Sequence, residues 1–485
     1  MNSLVLSTIG GLLVLLGASM LLPIAIALYF GNHGEVRPLA CTLVITVAAG
    51  GLMKYLFRVK ATGQLHLEGD LSIRGGFIAV VAGWVLCALF GALPYLLTAS
   101  VGNFTDAYFE SMSGFTTTGA TVIQHPEALP PGLACWRSFT QWLGGLGIVV
   151  FFIAFLPTAG MAAYRLFEAE VPGPVSERLQ PRIAETARVL LQIYVILTAL
   201  EFALLYLGGM PAFDSLCHTF STISTGGFST KSSSIAAYQS HYIEIVITVF
   251  MFLGACNFVL YYHLGRGNFR AIFSNPELQF FVGLLLLTIL LISFSLSSQE
   301  TSFFHALRRA SFQVVSITTT TGFTTGDFDT WPDFCRFLLV LLMLAGGCAG
   351  STASGIKSVR LVLLTKSVGR ELVRLVTPRV VKHVKLYGES VEEEVISNTF
   401  GFFFLYVGLF GLFSLMLTAS GRDIITAFSA VAACIGNVGP GLGGVGPSLS
   451  YDGLSVMEKW ILIFCMLLGR LELYSVILVF LYWRR

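Results

Sequence analysis

Residues 106–121 read DAYFESMSGFTTTGAT, and residues 214–230 read DSLCHTFSTISTGGFST. In both, an aspartate precedes a glycine by thirteen residues: Asp106 before Gly119, and Asp214 before Gly227. Two further stretches follow the same plan, FQVVSITTTTGFTT at 312–325 around Gly322 and AFSAVAACIGNVGPG at 427–441 around Gly439. In the last of these, Asp423 lies thirteen residues before Gly436 but sixteen before Gly439. Asn437-Val438-Gly439 imitates the Thr-x-Gly ending of the other copies, so Gly439 is taken as the counterpart, and an extra helical turn is expected to absorb the difference. The copies sit in segments 99–133, 210–239, 299–332 and 419–455, each opening with a short helix-compatible run and then turning polar and Gly/Thr-rich. A few residues suffice to join two helices. Irregular backbone at membrane depth is tolerated only where protein buries it or it lines water, so these segments read as re-entrant hairpins.

The rest of the chain supplies the membrane. Of 485 residues, 55% are hydrophobic and 12% charged, about half the charged share of a soluble domain. The apolar runs approach the roughly twenty residues that cross about 30 Å of hydrocarbon. Ten spans are predicted, at 4–30, 39–57, 75–98, 134–157, 188–209, 240–264, 278–298, 333–366, 396–418 and 456–482, with 333–366 too long and too interrupted for a plain helix. Segments 54–74, 160–188, 266–270, 357–395 and Arg484–Arg485 share one side and hold twenty Lys/Arg. The other side holds eight: Arg37, Arg137, Lys231, Arg308, Arg309, Arg336, Arg422 and Lys459. Excess positive charge marks the cytoplasm, so both termini are expected there. The N-terminus lacks a basic n-region and reads as a retained helix. The fold class is an all-α polytopic membrane protein: an N-terminal hairpin (1–70), then four helix–pore-loop–helix repeats at 71–184, 185–276, 277–394 and 395–485.

The repeated loop suits a cation. Successive backbone carbonyls can replace a hydration shell, and glycine reaches the backbone angles required without steric cost. Neighbouring threonines and serines add hydroxyl oxygens. A preceding half-helix aims its negative C-terminal end at the same point. Asp106, Glu110, Asp214, Asp327 and Asp329 near the outer mouth can either gather cations or serve as helix caps.

The four loops, the leading two-span hairpin and the ending LLGRLELY at 467–474 resemble the TrkH/TrkG potassium-uptake subunits of the Trk/Ktr/HKT cation transporter superfamily. The resemblance covers essentially the whole chain and implies that each loop supplies one quarter of a potassium filter. Its residues here are Thr117, Thr118 and Gly119; Thr225, Gly226 and Gly227; Thr320, Thr321 and Gly322; and Asn437, Val438 and Gly439. Sodium-favouring members often carry serine at the first loop's glycine, so Gly119 implies potassium as the transported ion, with no covalently bound cofactor. Gly226, Asn437 and Val438 depart from threonine, which implies a weaker selectivity than four identical loops provide.

Within 333–366, Ala345 to Lys357 read AGGCAGSTASGIK. Glycine weakens helices, so this run is either a close helix–helix packing surface or an unwound loop below the third filter copy. The resemblance implies the latter, a gate comprising Gly346, Gly347, Gly350, Ser351, Gly355 and Lys357. Arg470 lies deep in the last span, where a charge faces a cavity or a partner. Its two readings are an ion pair with Glu472 and a pore-facing barrier that donates to the gate loop. Segment 357–395 reads as a positive-inside loop or a regulator's lever. The resemblance implies a cytosolic nucleotide-binding ring of the TrkA type docked on a homodimer in the bacterial inner membrane.

Other classes fit less well. The nine scattered cysteines show no metal or disulfide spacing and read as buried small hydrophobes. The eight histidines form no spaced motif, so an enzyme is not expected. No basic arm supports nucleic-acid binding. The main rival is a potassium/sodium symporter with obligatory sodium or proton coupling. Broken-helix transporters use inverted or parallel repeats, whereas every copy here runs in the same order from the same side.

Overall fold

The computed structural model describes residues 3–57, 73–145, 147, 183–378, 380, 383–471 and 473–483. The basic segments 54–74 and 160–188, the end of the predicted span 134–157, Glu472 and Arg484–Arg485 lie wholly or partly outside the described residues. The long apolar runs are helices. In chain order they are α1 (Ser3–Ser19), α2 (Leu21–Tyr29), α3 (His33–Leu56), α4 (Ile73–Gly91), α5 (Phe104–Phe115), α6 (Pro131–Gly145), α7 (Ile183–Leu207), α8 (Ala212–Ile223) and α9 (His241–Ala255). They continue as α10 (Phe258–Gly265), α11 (Pro276–Leu296), α12 (Phe303–Thr318), α13 (Asp333–Leu344), α14 (Ser358–Val376), α15 (Glu393–Ala419), α16 (Ile424–Ile435), α17 (Val456–Leu471) and α18 (Leu473–Trp483). The described strands are β1 (Lys385–Leu386) and β2 (Glu389–Ser390), an antiparallel pair.

Six helices among the described residues are long and apolar enough to cross a membrane, or up to eight if each bent pair is one span. The span 333–366 is interrupted, in keeping with its sequence reading, whereas 240–264 and 456–482, read as single spans, are bent pairs of helices. The span 240–264 is α9 and α10, bent by 98° at their junction. The span 333–366 is α13 and α14 with a loop between them. The N-terminal hairpin packs α1 on α3, where a methyl built on Gly10 would lie 2.7 Å from the Gly50 carbonyl oxygen, so only glycine permits the approach. Glu35 of α3 is buried and accepts the Gly132 and Leu133 N–H groups, each at 3.0 Å. A carboxylate there satisfies the open N-terminus of α6 and favours its dipole, which ties the hairpin to the first repeat.

Each predicted re-entrant segment contains one short α-helix, α5, α8, α12 or α16, followed by a loop that leads to a second helix. The second is the longer in every copy but the third, where α12 has 16 residues and α13 has 12. The extra turn expected in the fourth copy is absent, since α16 has 12 residues, as do α5 and α8. The three-residue offset comes from the aspartates. Asp423 is the N-cap and accepts the Thr426 N–H at 3.0 Å. Asp106 and Asp214 lie inside the first turn, with Asn103 taking the cap position in the first copy.

The described residues of segment 357–395 form α14, the β1–β2 hairpin and the start of α15 rather than a plain loop. The β1–β2 hairpin packs on α14 through a small apolar cluster of Val359, Val362, Leu363, Val384, Leu386 and Ile396.

Candidate functional site

All four short helices end in the same way. The residue after the cap turns left-handed: Thr117 at φ 53°, Thr225 at 53°, Thr320 at 59° and Asn437 at 53°. Its N–H bonds three residues back and the next N–H bonds five back, for example Thr117 to Gly114 at 3.0 Å and Thr118 to Ser113 at 2.9 Å. This paired closure normally uses glycine at the left-handed position. A β-branched residue there is a true outlier, costing of order 1–3 kcal/mol. Two residues later the chain is left-handed again, at Gly119, Gly227, Gly322 and Gly439. The repeated geometry therefore pairs Gly439 with the other three, while Gly436 is an ordinary right-handed cap.

These glycines close a ring. A methyl built on Gly119 would lie 2.3 Å from the Gly226 carbonyl oxygen, and one on Gly227 1.8 Å from that of Thr321. A methyl on Gly322 would lie 1.8 Å from the Val438 oxygen, and one on Gly439 2.7 Å from the Thr118 oxygen. Each glycine thus abuts the carbonyl just before the glycine of the next copy, and the fourth returns to the first. On one side of the ring opens a cavity of about 600 Å3, lined by all four glycines together with Thr121, Ser229 and Thr324.

On the other side lies the 345–357 loop. Its neck is closed by Gly346 N–H to Ile356 O at 2.9 Å and Ile356 N–H to Leu344 O at 3.0 Å. At its tip, Ser354 N–H donates to Thr320 Oγ1 at 3.0 Å, and Thr352 Oγ1 donates to the Ile223 and Gly254 carbonyls at 3.0 and 2.9 Å. Ser358 Oγ donates to Gly346 O at 2.9 Å, Phe258 N–H to Gly350 O at 3.0 Å, and Lys357 Nζ to Ala353 O. Ser351 Oγ donates to Cys348 O at 2.6 Å within the loop. Gly347 leaves no room for a side chain, since a methyl there would lie 2.7 Å from Ala255 O. Gly350 and Gly355 each turn left-handed at φ 70°. Arg470 joins these parts. Its Nη1 donates to Thr352 O at 2.8 Å, Thr117 Oγ1 at 3.2 Å and Ser354 Oγ at 3.3 Å. Its Nη2 donates to Gly144 O at 2.6 Å and Gly145 O at 2.8 Å.

Residues 42–483 match the TrkH family, described as a cation transport protein. The chain is 41% identical to the Trk system potassium uptake protein TrkH of Halomonas elongata, with 99% of each chain covered. It is 38% identical to the TrkH of Salmonella typhimurium over 98% of each chain. The TrkG protein of Escherichia coli is 36% identical over 98% of this chain and 97% of its own. The crystal structure of the potassium transporter TrkH from Vibrio parahaemolyticus superposes with a TM-score of 0.87 at 37% identity, over 98% of each chain. The chain belongs to the TrkH family. It is a multi-pass membrane protein of a transporter family.

This TrkH-family ring is braced in part by residues that the sequence reading did not single out, among them Gln141, Thr116, Thr319 and Tyr451. Gln141 of α6 is buried; its Nε2 donates to Gly226 O at 2.6 Å and its Oε1 accepts the Phe228 N–H at 3.0 Å. Asn437 Nδ2 donates to Thr118 Oγ1 at 2.8 Å and Met466 O at 3.0 Å. Copies one and three share a threonine pair, Thr116 with Thr118 and Thr319 with Thr321, each 2.8 Å between hydroxyls. In copies two and four a carbonyl is already engaged, Gly226 O by Gln141 and Gly439 O by the Tyr451 hydroxyl at 2.7 Å. The four copies thus share a backbone geometry but differ in their side-chain contacts.

The outer acidic residues are neutralised or capping. Glu110 is buried against Arg137 at 2.6 Å, and Lys459 meets Asp106 at 2.6 Å. Lys231 stands 3.8 Å from Asp214, and Arg336 is 2.9 Å from Asp329. Asp327 caps its own turn by accepting the Asp329 N–H at 2.9 Å. Ion pairs, which neither reading included, hold Asp106, Glu110, Asp214 and Asp329, and capping describes Asp327. Glu244 pairs with Arg308 at 3.5 Å, and Glu201 is fully buried on α7.

Replacing Gln141 by leucine is expected to strip the Phe228 N–H of its acceptor and free the Gly226 carbonyl. The loss is about 1–3 kcal/mol of stability, read as a lower melting temperature in detergent.

Proposed function

We propose that this chain carries potassium into the cell through the four-loop ring, with the 345–357 loop and Arg470 as its gate. The observation that supports this most is the cyclic succession of the four glycines around one axis, with an open cavity on one side and a loop on the other. Filter residues in this reading are Thr117, Thr118, Gly119, Thr225, Gly226, Gly227, Thr320, Thr321, Gly322, Asn437, Val438 and Gly439. Four short helices end at the ring, each presenting its negative end to the cation. The relatives' names, which state potassium uptake, support the choice of ion. The hairpin at 1–70 and the four repeats beginning at 71, 185, 277 and 395 are the structural units of the same reading.

The membrane is the bacterial inner membrane, with both termini in the cytoplasm, as the twenty-to-eight division of Lys/Arg supports. A cytosolic nucleotide-binding ring of the TrkA type, docked on a homodimer, is the regulator in this proposal; the ordered α14 and hairpin give it a surface next to the gate.

Rubidium flux into liposomes containing the purified protein tests the function, with and without a sodium or proton gradient. Rubidium is expected to move down its own gradient without either, and flux no greater than in empty vesicles overturns the reading. Obligatory dependence on sodium or protons makes the chain a symporter instead. Deleting residues 347–354 is expected to raise the flux without any regulator; an inactive, folded protein defeats the gate assignment.

A further inference from the structure

Three segments far apart in sequence meet at one carboxylate. Glu277, in the first turn of α11, is 1% exposed. Its Oε1 accepts the Ala349 N–H at 2.7 Å and the Val359 N–H at 3.0 Å. Its Oε2 accepts the Tyr387 hydroxyl at 3.3 Å. Ala349 belongs to the 345–357 loop, Val359 to the first turn of α14, and Tyr387 to the turn between β1 and β2. A carboxylate is costly to bury unless donors surround it, and here the donors come from loop, helix and hairpin.

The turn itself points the same way. Tyr387 and Gly388 are both left-handed, at φ 51° and 89°. A two-residue hairpin turn of this kind favours Asn-Gly or Asp-Gly, and a bulky residue in its first position is strained. The sequence instead places there a tyrosine whose hydroxyl reaches the buried carboxylate. The hairpin also packs on α14 through Val384 and Leu386, so a movement of the hairpin acts on Glu277 directly.

We propose that Glu277 is a positioning residue that transmits the placement of the cytoplasmic hairpin 384–391 to the 345–357 loop. With Tyr387 in place, the carboxylate is held where it fixes Ala349. With the hairpin displaced, Oε2 loses its donor, the carboxylate is free to turn, and the loop loosens. This rests on the reading of that loop as the gate.

The test is rubidium flux through the full chain in liposomes, together with maleimide labelling of Cys348 in a background lacking the other cysteines. Cys348 is a loop residue only 1% exposed, so its labelling reports loop release. Glu277→Ala is expected to raise both readouts on the order of tenfold, the effect of losing hydrogen bonds to a charged group. Tyr387→Phe, which removes the hydroxyl that donates to Glu277, is expected to raise both by a smaller factor. The double variant is expected to match Glu277→Ala alone, because both changes act on one path. Glu277→Gln is expected to behave as the parent: its carbonyl keeps both N–H bonds and its amide meets the Tyr387 oxygen.

Additive effects of the two single changes overturn the proposal. So does a Glu277→Ala protein that melts lower with flux and labelling unchanged, since that is a structural cap only. If Glu277→Ala does not fold, Tyr387→Phe decides alone, and unchanged labelling refutes the link. If deleting 347–354 raises flux while the Glu277 and Tyr387 variants do not, this proposal fails and the gate reading stands. If the deletion leaves flux at the parent's level, the gate reading fails and takes this proposal with it.

Discussion

Arg470→Ala is expected to raise rubidium flux through the unregulated protein roughly tenfold or more. The guanidinium ties three parts to one point: the tip of the 345–357 loop, the end of α6 and the deep edge of the ring. Each hydrogen bond to a charged donor contributes about 1.5–3 kcal/mol, and about 1.4 kcal/mol already shifts a two-state equilibrium tenfold. The substitution also removes a positive charge beside the path of a cation, so both effects act in the same direction. Arg470→Lys is expected to fall between. One ammonium can reach Thr352 O or the Gly144 and Gly145 carbonyls, but it lacks the planar fork that spans both. Flux that falls while the protein remains folded contradicts this role. The ion pair with Glu472 allowed by the sequence lies outside the described residues; the contacts above are made with carbonyls and hydroxyls.

How far the sequence carried depended on what each residue does locally. Apolar length and the four Gly/Thr segments were enough for spans, short helices and loops, because those depend on composition along the chain. The glycines at 119, 227, 322 and 439 were legible because left-handed backbone suits few other residues. The threonines two positions earlier were read as sources of hydroxyl oxygen. Their left-handed backbone was missed, because strain in a β-branched residue is held by its surroundings and leaves no compositional trace. Asn437 at the fourth such position carried the one available signal, since asparagine visits that region more readily than threonine. Gln141 was overlooked because a single amide in an apolar helix has no pattern until the fold sets it against Gly226. The acidic residues show a different limit. Their position near the mouth was readable, but their partners Lys459, Arg137, Lys231 and Arg336 come from other parts of the chain.

Substitutions at the four ring glycines are expected to differ in severity in an order set by their distances. A carbon needs roughly 3.3 Å from a carbonyl oxygen. At Gly227 and Gly322 the added methyl would stand at 1.8 Å, so the neighbouring loop must retreat by about 1.5 Å. It cannot do so cheaply, because that loop abuts the next glycine in turn. Left-handed backbone adds about 1–2 kcal/mol for any residue with a Cβ. Gly227→Ala and Gly322→Ala are therefore expected to reduce rubidium flux by on the order of a hundredfold, about 2.7 kcal/mol on a rate scale. Gly119→Ser places its Cβ 2.3 Å from Gly226 O, and Gly439→Ala places one 2.7 Å from Thr118 O. Smaller retreats leave the path open but spread the ring. Gly119→Ser is accordingly expected to keep most of its flux while its potassium-over-sodium ratio falls roughly tenfold, about 1.4 kcal/mol of discrimination. Gly439→Ala is expected to be mildest of the four. Rubidium and sodium uptake measured in parallel on the four proteins separates loss of passage from loss of discrimination. Equal effects at all four positions, or an unchanged ratio in Gly119→Ser, contradict the ring assignment, because a set of unrelated turns has no reason to rank by its distance to the next copy.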